Sequence, residues 1–382
     1  MRARKASIRM HWDIFCKVID NHGDLGVCWR LAAQLAALGD RVRLWVDDGA
    51  ALAWMAPAGC PGVAVVDWSD PAAVAAAVRG PVPHRLVEAF GCDPEPALVR
   101  RFAEVHPAGT GPGGGRHWIN LEYLSAEPYV ERLHRLPSPV FAGPGAGLTK
   151  HFFYPGFTTA TGGLLREPEL LRRQAGFDRA AWLAAQGIAW HGDDERLVSL
   201  FCYEPSALPA LLAGWAAGPR PTRLLVTAGR ATRAVRAAQS CLGGIRGDGD
   251  GGGLRIDYLP HLPQTAFDEL LWACDLNFVR GEDSLVRTLW AGKPAVWQIY
   301  PQDDDAHHAK LQAWLDAVDA PASLRAMHAA WNALPGAGPV PVPDEAMLAA
   351  WRRSAGLVRE RLLQQPDLAA QLRAFVGGSG TD

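Results

Sequence analysis

Apolar and polar positions alternate along the first half of the chain in blocks that predict strands followed by helices. The apolar run at 12–19 ends in the polar turn 20–26, after which apolar residues recur at helical spacing. Segments 41–48 and 84–91 have the composition of further strands, and a helical pattern lies between them at 71–80. This alternation predicts a parallel sheet with crossover helices.

The second half repeats the alternation and predicts a second α/β domain. Its strand segments are 196–204, 222–230, 254–260, 275–279 and 294–300. After residue 324 the pattern is helical to the end of the chain, with an interruption at Pro366. The glycine-rich stretches 106–116 and 243–253 oppose regular structure, and we predict loops there.

The two sets of elements predict two Rossmann-like domains. We place the first domain at 1–185 and the second at 186–361, and we expect the helix at 362–382 to pack back on the first domain. Two such domains joined by a hinge would place a cleft between the carboxyl ends of their parallel strands, where ligands of such sheets usually bind. Functional residues are therefore expected in the loops that follow strands.

The composition is that of a globular enzyme with no general affinity for nucleic acid or membranes. Apolar residues make up 49% and charged residues 20% of the chain, and the formal net charge is -2, so no basic field exists to hold a polyanion. Seven scattered cysteines without a CxxC pair predict neither a disulfide framework nor a zinc site. Neither a signal sequence nor a run of ~20 apolar residues occurs, and we expect a cytoplasmic protein.

The turn 20–26 carries two carboxylates, Asp20 and Asp24, after the first strand. If Gly23 adopts a backbone conformation closed to other residues, both side chains can face one point, with Asn21 beside them. Proximity would raise the pKa of one carboxylate and make it a better proton acceptor. Alternatively, Asp20 ends the strand in an Asx turn and Asp24 caps the next helix. The turn lacks the GxGxxG fingerprint of a nicotinamide enzyme, which weakens an oxidoreductase hypothesis.

A second turn, Arg-Gly-Glu-Asp-Ser at 280–284, joins a strand to a helix. The N–H groups of the helix start, the hydroxyl of Ser284 and the guanidinium of Arg280 could bind a diphosphate without a metal. Alternatively, Arg280 pairs with Asp283 on the surface and Ser284 is the N-cap of the helix. The acidic and histidine residues at 303–308 fit a solvated helix start better than a metal cluster, and we predict no metal.

Aromatic and amide residues near strand ends of the second half could form a site for a nucleotide base. Two aromatic faces could enclose a pyrimidine while an amide hydrogen-bonds its edge, and the residues concerned are Phe201, Tyr203, Gln264 and Phe267. Taken singly, each aromatic residue could equally belong to the core. The loops at 120–127 and 155–163 could contact an acceptor or be ordinary turns.

Several long segments resemble, in the same order, the EarP family, the elongation factor P arginine rhamnosyltransferases. They spread over nearly the whole chain, at 12–35, 118–127, 152–167, 201–204, 262–264 with Phe267, and 271–311. His22 departs from the family pattern, which more often has Phe or Tyr there, and the basic N-terminal extension lies outside the match. The change at His22 could alter the fit of the acceptor.

This resemblance implies a GT-B glycosyltransferase that transfers rhamnose, with inversion, from TDP-β-L-rhamnose to an arginine of elongation factor P, activating that factor for rescue of stalled ribosomes. By position, Asp20 and Asp24 match the paired acceptor-side aspartates of the family, with Asn21 and Gly23 beside them, and Glu282 lies in its Arg-Gly-Glu-Asp-Ser donor motif. Our interpretation of the mechanism makes Asp24 the general base and Asp20 and Glu282 orienting carboxylates. The implied donor contacts are Phe201, Tyr203, Gln264, Phe267, Arg280, Asp283, Ser284 and Tyr300. No cofactor, nucleic acid or membrane is implied.

Two alternatives stay open at the level of sequence. One is a GT-B transferase with another nucleotide sugar or another acceptor, since stacking aromatics do not choose between thymine and uracil. The other is a non-catalytic module that binds elongation factor P and a nucleotide sugar. The paired aspartates discriminate between an enzyme and such a module, because binding alone needs no base beside the anomeric carbon.

Overall fold

The structure is a computed structural model that describes residues 10–18, 22–105, 117–242, 253–302 and 305–377. It divides into two compact units. The first comprises Met1–Pro168 together with Gln365–Asp382, and the second comprises Glu169–Gln364.

The first unit is built on a seven-stranded sheet. Its strands are β1 (His11–Cys16), β2 (Arg41–Val46), β3 (Val63–Asp67), β4 (Arg85–Ala89), β5 (His117–Leu121), β6 (Pro137–Pro139) and β7 (Thr149–Phe153). Their order is β3-β2-β1-β4-β5-β7-β6, and the pairing is parallel apart from β6 with β7. From β1 the strand order runs to β2 and β3 on one side and, from β4, to β5 on the other. The order therefore reverses between β1 and β4, and the carboxyl ends of these two strands form the switch point where ligands of open sheets bind.

Five helices follow strands in the described part of this unit. They are α1 (Gly23–Ala37), α2 (Leu52–Met55), α3 (Pro71–Arg79), α4 (Pro96–Glu104) and α5 (Tyr129–Leu133). Helix α1 buries Leu25, Cys28, Leu31 and Leu35 in one core with the apolar residues of β1 and β2, as the helical spacing predicts. This packing fixes the position of the amino end of α1, which follows the loop after β1.

The second unit is built on a five-stranded parallel sheet. Its strands are β8 (Arg196–Leu200), β9 (Thr222–Val226), β10 (Leu254–Tyr258), β11 (Leu276–Arg280) and β12 (Ala295–Gln298). The order is β10-β9-β8-β11-β12, so the switch point lies between β8 and β11. The helices are α6 (Leu170–Ala175), α7 (Arg179–Ala185), α8 (Leu208–Ala217), α9 (Arg230–Cys241), α10 (Gln264–Ala273), α11 (Glu282–Ala291), α12 (Ala306–Ala317), α13 (Ala322–Trp331) and α14 (Glu345–Leu363).

Helices α6 and α7 belong to the second unit, so the first boundary lies at 168/169 rather than at the predicted 185/186. Trp182 and Leu183 on α7 pack into the core of the second unit. Arg179 at the start of α7 makes a bidentate ion pair with Asp275, at 3.1 and 3.0 Å. These contacts tie α7 to the second unit, next to the amino end of β11. The apolar pattern of the sequence does not reveal which of the two sheets a short helix covers.

The chain returns to the first unit in α15 (Leu368–Gly377). Leu368, Leu372 and Val376 are buried in the same core as α1, and a guanidinium N–H of Arg85 donates to the carbonyl oxygen of Val376. Throughout the described ranges, no helix combines the length and the apolar character that crossing a bilayer requires.

Histidine rings hold α15 against the sheet of the first unit. Phe375 of α15 lies 5.9 Å from the ring of His117 and 5.3 Å from that of His151, measured between ring centres. His134 packs on Phe153, which in turn contacts Phe375. Burial lowers the pKa of His117 and of His134 to about 4, and it also lowers the pKa of His151.

We therefore expect acid to weaken the first unit below pH 6.5. An unfolded histidine has a pKa of ~6.5, so the depressed folded values contribute stability above that pH, which is lost as pH falls from ~6.5 towards 4. Thermal unfolding measured between pH 7.5 and 4.5 should show a falling midpoint. His117→Phe should make the slope shallower, whereas His191→Phe, at an exposed histidine of the second unit, should not. Equal slopes for the wild type and His117→Phe would contradict this account.

Candidate functional site

Arg280 lies between two aromatic rings at the switch point of the second sheet. Its Cζ atom is 4.6 Å from the ring centre of Phe201 and 4.5 Å from that of Tyr203, both of which follow β8. The sequence predicted a surface pair of Arg280 with Asp283 as one alternative, but no such ion pair occurs among the residues described. The guanidinium is instead held flat by cation–π contacts.

The Arg280 guanidinium is incompletely satisfied. Its Nη1 atom is buried, and it has no hydrogen-bond partner in the described part of the chain. Burial lowers the pKa of Arg280, which records the cost of holding this charge away from water. A buried guanidinium donor without an acceptor is suited to bind an anion that enters from solution.

The turn after Arg280 leads directly into the start of α11, whose first backbone N–H groups have no partner within the helix. Gly281 is the N-cap residue, and its φ of 70° is a left-handed value that favours glycine. The indole N–H of Trp297 donates to the Gly281 carbonyl oxygen at 3.0 Å, which fixes the turn. The exposed N–H groups of such a helix start bind phosphate well.

Ser284 has a different contact from the one predicted. Its hydroxyl donates to the carbonyl oxygen of Arg280, and the side chain is buried. The hydroxyl hydrogen is thus used inside the turn, and Ser284 is not the N-cap, because Gly281 has that position. In this conformation Ser284 stabilises the turn and has no hydrogen left for a phosphate oxygen.

The acidic residues of the turn lie in the first helical turn of α11. Glu282 accepts a hydrogen bond from Lys310 of α12 at 2.5 Å, and Asp283 is partly buried beside it. Their negative charges are favourable at the positive end of the helix dipole. Glu282 is therefore held in place by a lysine of the neighbouring helix.

Aromatic residues extend this group on both sides of Arg280. The ring of Phe267 lies edge-on to Phe201 at 5.5 Å, and that of Tyr300 lies edge-on to Tyr203 at 5.7 Å. Burial raises the pKa of Tyr203 to about 12, so its hydroxyl stays protonated. Gln264 is buried at the start of α10, one turn before Phe267. The structure thus gathers Phe201, Tyr203, Phe267, Arg280 and Tyr300 into one cluster.

Arg230 is a residue of this cluster that the sequence did not single out. Its Cζ atom is 4.8 Å from the ring centre of Tyr203, and its Nε and Nη2 groups donate to the two carboxylate oxygens of Glu204. Gly229, with φ 86°, precedes it as the N-cap residue of α9. The sequence did contain a pattern that could have identified Arg230, since a strand, a glycine and a helix follow one another here as they do around Gly281.

The first unit contains only part of the predicted aspartate turn in its described residues. Asp20 and Asn21 lie outside them. Helix α1 begins at Gly23 with His22 as N-cap, and no side chain caps it, so Asp24 is not the capping residue. Gly23 does not adopt the special backbone conformation considered from the sequence, because its φ is not positive and a Cβ there would meet nothing within 4 Å.

Asp24 is held by an aromatic pair at the switch point of the first sheet. The hydroxyl of Tyr123 donates to Oδ2 of Asp24 at 3.2 Å. The ring of Tyr123 stacks on that of Phe90 with centres 4.7 Å apart. Phe90 has a φ of 58°, a strained value for a bulky residue, and such strain is concentrated at functional sites.

Three potential metal-ligating residues lie close together near the start of α12. Potential ligand atoms of Asp305, His307 and His308 lie within 4.8 Å of one another. However, Nδ1 of His307 accepts the backbone N–H of Gln302 at 3.1 Å. A neutral imidazole has only one lone pair for a metal, so His307 would have to give up this bond to become a ligand.

Known proteins resemble this chain along almost its whole length. The family model described as "Elongation-Factor P (EF-P) rhamnosyltransferase EarP" matches residues 12–377. A protein-arginine rhamnosyltransferase of Pseudomonas aeruginosa is 41% identical over 389 residues, which cover 95% of this chain and 98% of that protein. A second relative, from Pseudomonas putida, has the same description and is 40% identical over 96% of this chain and 99% of its own length.

A solved structure described as "Structural basis for EarP-mediated arginine glycosylation of translation elongation factor EF-P" is similar with a TM-score of 0.60. It is 32% identical, and the match covers 97% of this chain and all of that one. These likenesses and the two parallel sheets confirm the predicted GT-B class with two Rossmann-like domains.

Proposed function

Because the chain belongs to the EarP family, we propose that it transfers rhamnose from TDP-β-L-rhamnose to an arginine side chain of elongation factor P. Family membership supports both the reaction and the acceptor. The observation that carries the binding of the donor is the partly buried Arg280 guanidinium between Phe201 and Tyr203, whose buried Nη1 has no hydrogen-bond partner among the described residues. A nucleoside diphosphate complements this cluster, because its phosphates can accept the Arg280 N–H and its flat base can stack on the aromatic rings.

In this proposal the second unit binds the donor. Arg280 and the N–H groups at the start of α11 bind the diphosphate, while the aromatic residues bind the base and the sugar ring. Arg230 is a second cation beside Tyr203 and could exchange Glu204 for a phosphate oxygen. Stabilising the diphosphate as it leaves would lower the barrier directly.

The first unit provides the base. An arginine is a poor nucleophile because its guanidinium is charged and delocalised, with a pKa above ~12. We propose that Asp24, with Asp20 and Glu282 as orienting carboxylates, holds the guanidinium and accepts one proton as a nitrogen attacks the anomeric carbon. The bond from that carbon to the diphosphate oxygen breaks in the same step, so a β-linked donor gives an α-linked product.

Mass spectrometry of the acceptor tests the proposal. The purified protein is incubated with TDP-rhamnose and elongation factor P, and the acceptor is digested and sequenced. One added deoxyhexose on a single arginine is the expected result. A variant of the acceptor with lysine at that arginine should stay unmodified. Modification that requires a different nucleotide sugar, or no modification of this acceptor with any donor, would refute the proposed reaction.

We also expect the reaction to proceed without a metal ion. Arg280 and the N–H groups at the start of α11 can neutralise the charge of the diphosphate. In the cluster near α12, the Nδ1 lone pair of His307 already accepts the backbone N–H of Gln302. Turnover should therefore be the same before and after treatment with excess EDTA. A loss of turnover that added magnesium restores would contradict this expectation.

A further inference from the structure

Glu122 is a carboxylate of the first unit that the proposed chemistry does not yet use. It follows β5 directly, next to β4 in the sheet and therefore beside the switch point. Its side chain is partly buried and accepts one hydrogen bond, from Nδ2 of Asn120 at 2.9 Å. Within the described ranges no lysine, arginine or histidine makes an ion pair with it.

A partly buried carboxylate with one neutral donor is an unfavourable arrangement in the free protein. Burial raises the pKa of Glu122, and the Asn120 hydrogen bond lowers it by less. Buried carboxylates are normally paired with a cation or with several donors. The missing partner is therefore a positive group that the described chain does not supply.

Asn120 gives a second, independent indication of the same partner. Its Oδ1 atom is buried and has no hydrogen-bond partner in the part of the chain that the structure describes. Asn120 Oδ1 and the Glu122 carboxylate thus present acceptors on one stretch of chain, and among the described residues the only hydrogen bond that they accept is that from Asn120 Nδ2 to Glu122. A guanidinium carries five N–H donors in a planar fork and no acceptor, so it complements this pair in both charge and geometry.

The surroundings of Glu122 suit a flat cation. Burial raises the pKa of Tyr154 to about 12, and the nearby negative charge of Glu122 adds to that effect. The ring of Tyr129 lies edge-on to Tyr154 at 6.0 Å. On the other side, the residue that follows Glu122 is Tyr123, whose hydroxyl contacts Asp24. Glu122 is therefore adjacent in sequence to the residue whose hydroxyl contacts the proposed base.

We propose that Glu122 and Asn120 form the binding site for the guanidinium of the acceptor arginine. The inference rests on the proposed function and adds to it a recognition residue, distinct from the aspartates of the 20–26 turn. Glu122 binds the N–H groups that do not react, while Asp24 faces the nitrogen that does. Asn120 positions the carboxylate through its amide and adds its own Oδ1 as an acceptor.

The decisive variant is Glu122→Gln, which keeps the shape and removes the charge. Loss of a charge-assisted contact should raise the KM for elongation factor P by about tenfold to a hundredfold. The affinity for TDP should not change, and the unfolding temperature should stay the same or rise, because a buried charge without a partner is removed. Glu104→Gln removes an exposed charge of the same unit and should leave all three quantities unchanged.

The pH profile separates a binding role from a structural one. Because burial raises the pKa of Glu122, kcat/KM for the acceptor should fall as pH decreases through that raised value in the wild type. The charge needed for binding is present above this pH and lost below it. Ionisation of Asp24 is still required in Glu122→Gln, so some decline remains, but it should be less steep than in the wild type because the amide at position 122 does not titrate. A decline that persists unchanged in the variant would overturn the proposal.

A simple probe separates failure of this inference from failure of the proposed function. L-arginine amide, added in the millimolar range, should raise the unfolding temperature of the wild type but not of Glu122→Gln. If elongation factor P is not modified but this difference is seen, the guanidinium site stands and the proposed function falls. If the factor is modified and Glu122→Gln has an unchanged KM and an unchanged response to arginine amide, the guanidinium site falls.

Discussion

Asp24→Asn is expected to reduce turnover by ~10²–10⁴-fold, the usual cost of losing a general base. The amide keeps the size of the side chain and can still accept the Tyr123 hydroxyl, which lies 3.2 Å from Asp24 Oδ2. What it lacks is the negative charge and the oxygen that takes the proton from the guanidinium. Catalysis should therefore suffer far more than binding or folding.

Three measurements on Asp24→Asn decide the matter: turnover, calorimetric affinity for TDP and the unfolding temperature. The last two should be close to wild type, since Asp24 is not the N-cap of α1 and the donor cluster lies in the other unit. Tyr123→Phe, which removes only the hydroxyl, should have a smaller effect on turnover. Near-normal turnover in Asp24→Asn would remove Asp24 from the mechanism, and a large loss of stability would restore a capping role.

The order of strands and helices could be predicted because each strand is a short apolar run followed by a turn. The predicted strand 12–19 is observed as His11–Cys16, and the predicted strand 222–230 as Thr222–Val226. Both predictions ran too far at the carboxyl end, where polar and glycine residues form the functional loops. Strand β6 was not predicted, because Pro137 and Pro139 are typical of turns and tolerated only at a sheet edge.

The candidate site could be predicted only in its residue types. The turn at 280–284 was found from its sequence, but not the position of Arg280 between two rings. Ser284 illustrates the limit, since its hydroxyl is used by a carbonyl only four residues away. Glu122 could not be selected from sequence, because its significance is the absence of a cationic partner among the described residues, and the absence of an ion pair has no sequence pattern.

The two units share one physical principle. Among the described residues, the partly buried carboxylate of Glu122 in the first unit has one neutral donor, and the buried Nη1 of the partly buried Arg280 in the second has no hydrogen-bond partner. Each charge costs stability in the free protein and is opposite in sign to the proposed substrate of its unit. Replacing such a charge should therefore weaken binding without weakening the fold, which is the reverse of what replacing a structural ion pair does.

Arg280→Met is the sharpest test of this principle and should have the largest effect on the donor. Methionine can fill the space between Phe201 and Tyr203 but cannot donate to phosphate. The affinity for TDP should fall by ~100-fold, since at least one strong charge-assisted hydrogen bond is lost. Arg280→Lys should lose about tenfold, because an ammonium keeps the charge without the planar fork that both rings contact.

The matched control is Arg236→Met on α9, where an exposed arginine stacks on Tyr258 at 5.1 Å, outside the cluster. This variant should bind TDP like the wild type, so stacking alone is not the cause of the loss. Calorimetry gives the affinities, and thermal unfolding should show Arg280→Met to be as stable as the wild type or more so. Unchanged affinity for TDP would remove Arg280 from the donor site. A large fall in unfolding temperature would instead make it a structural residue, whose buried charge is already balanced within the fold.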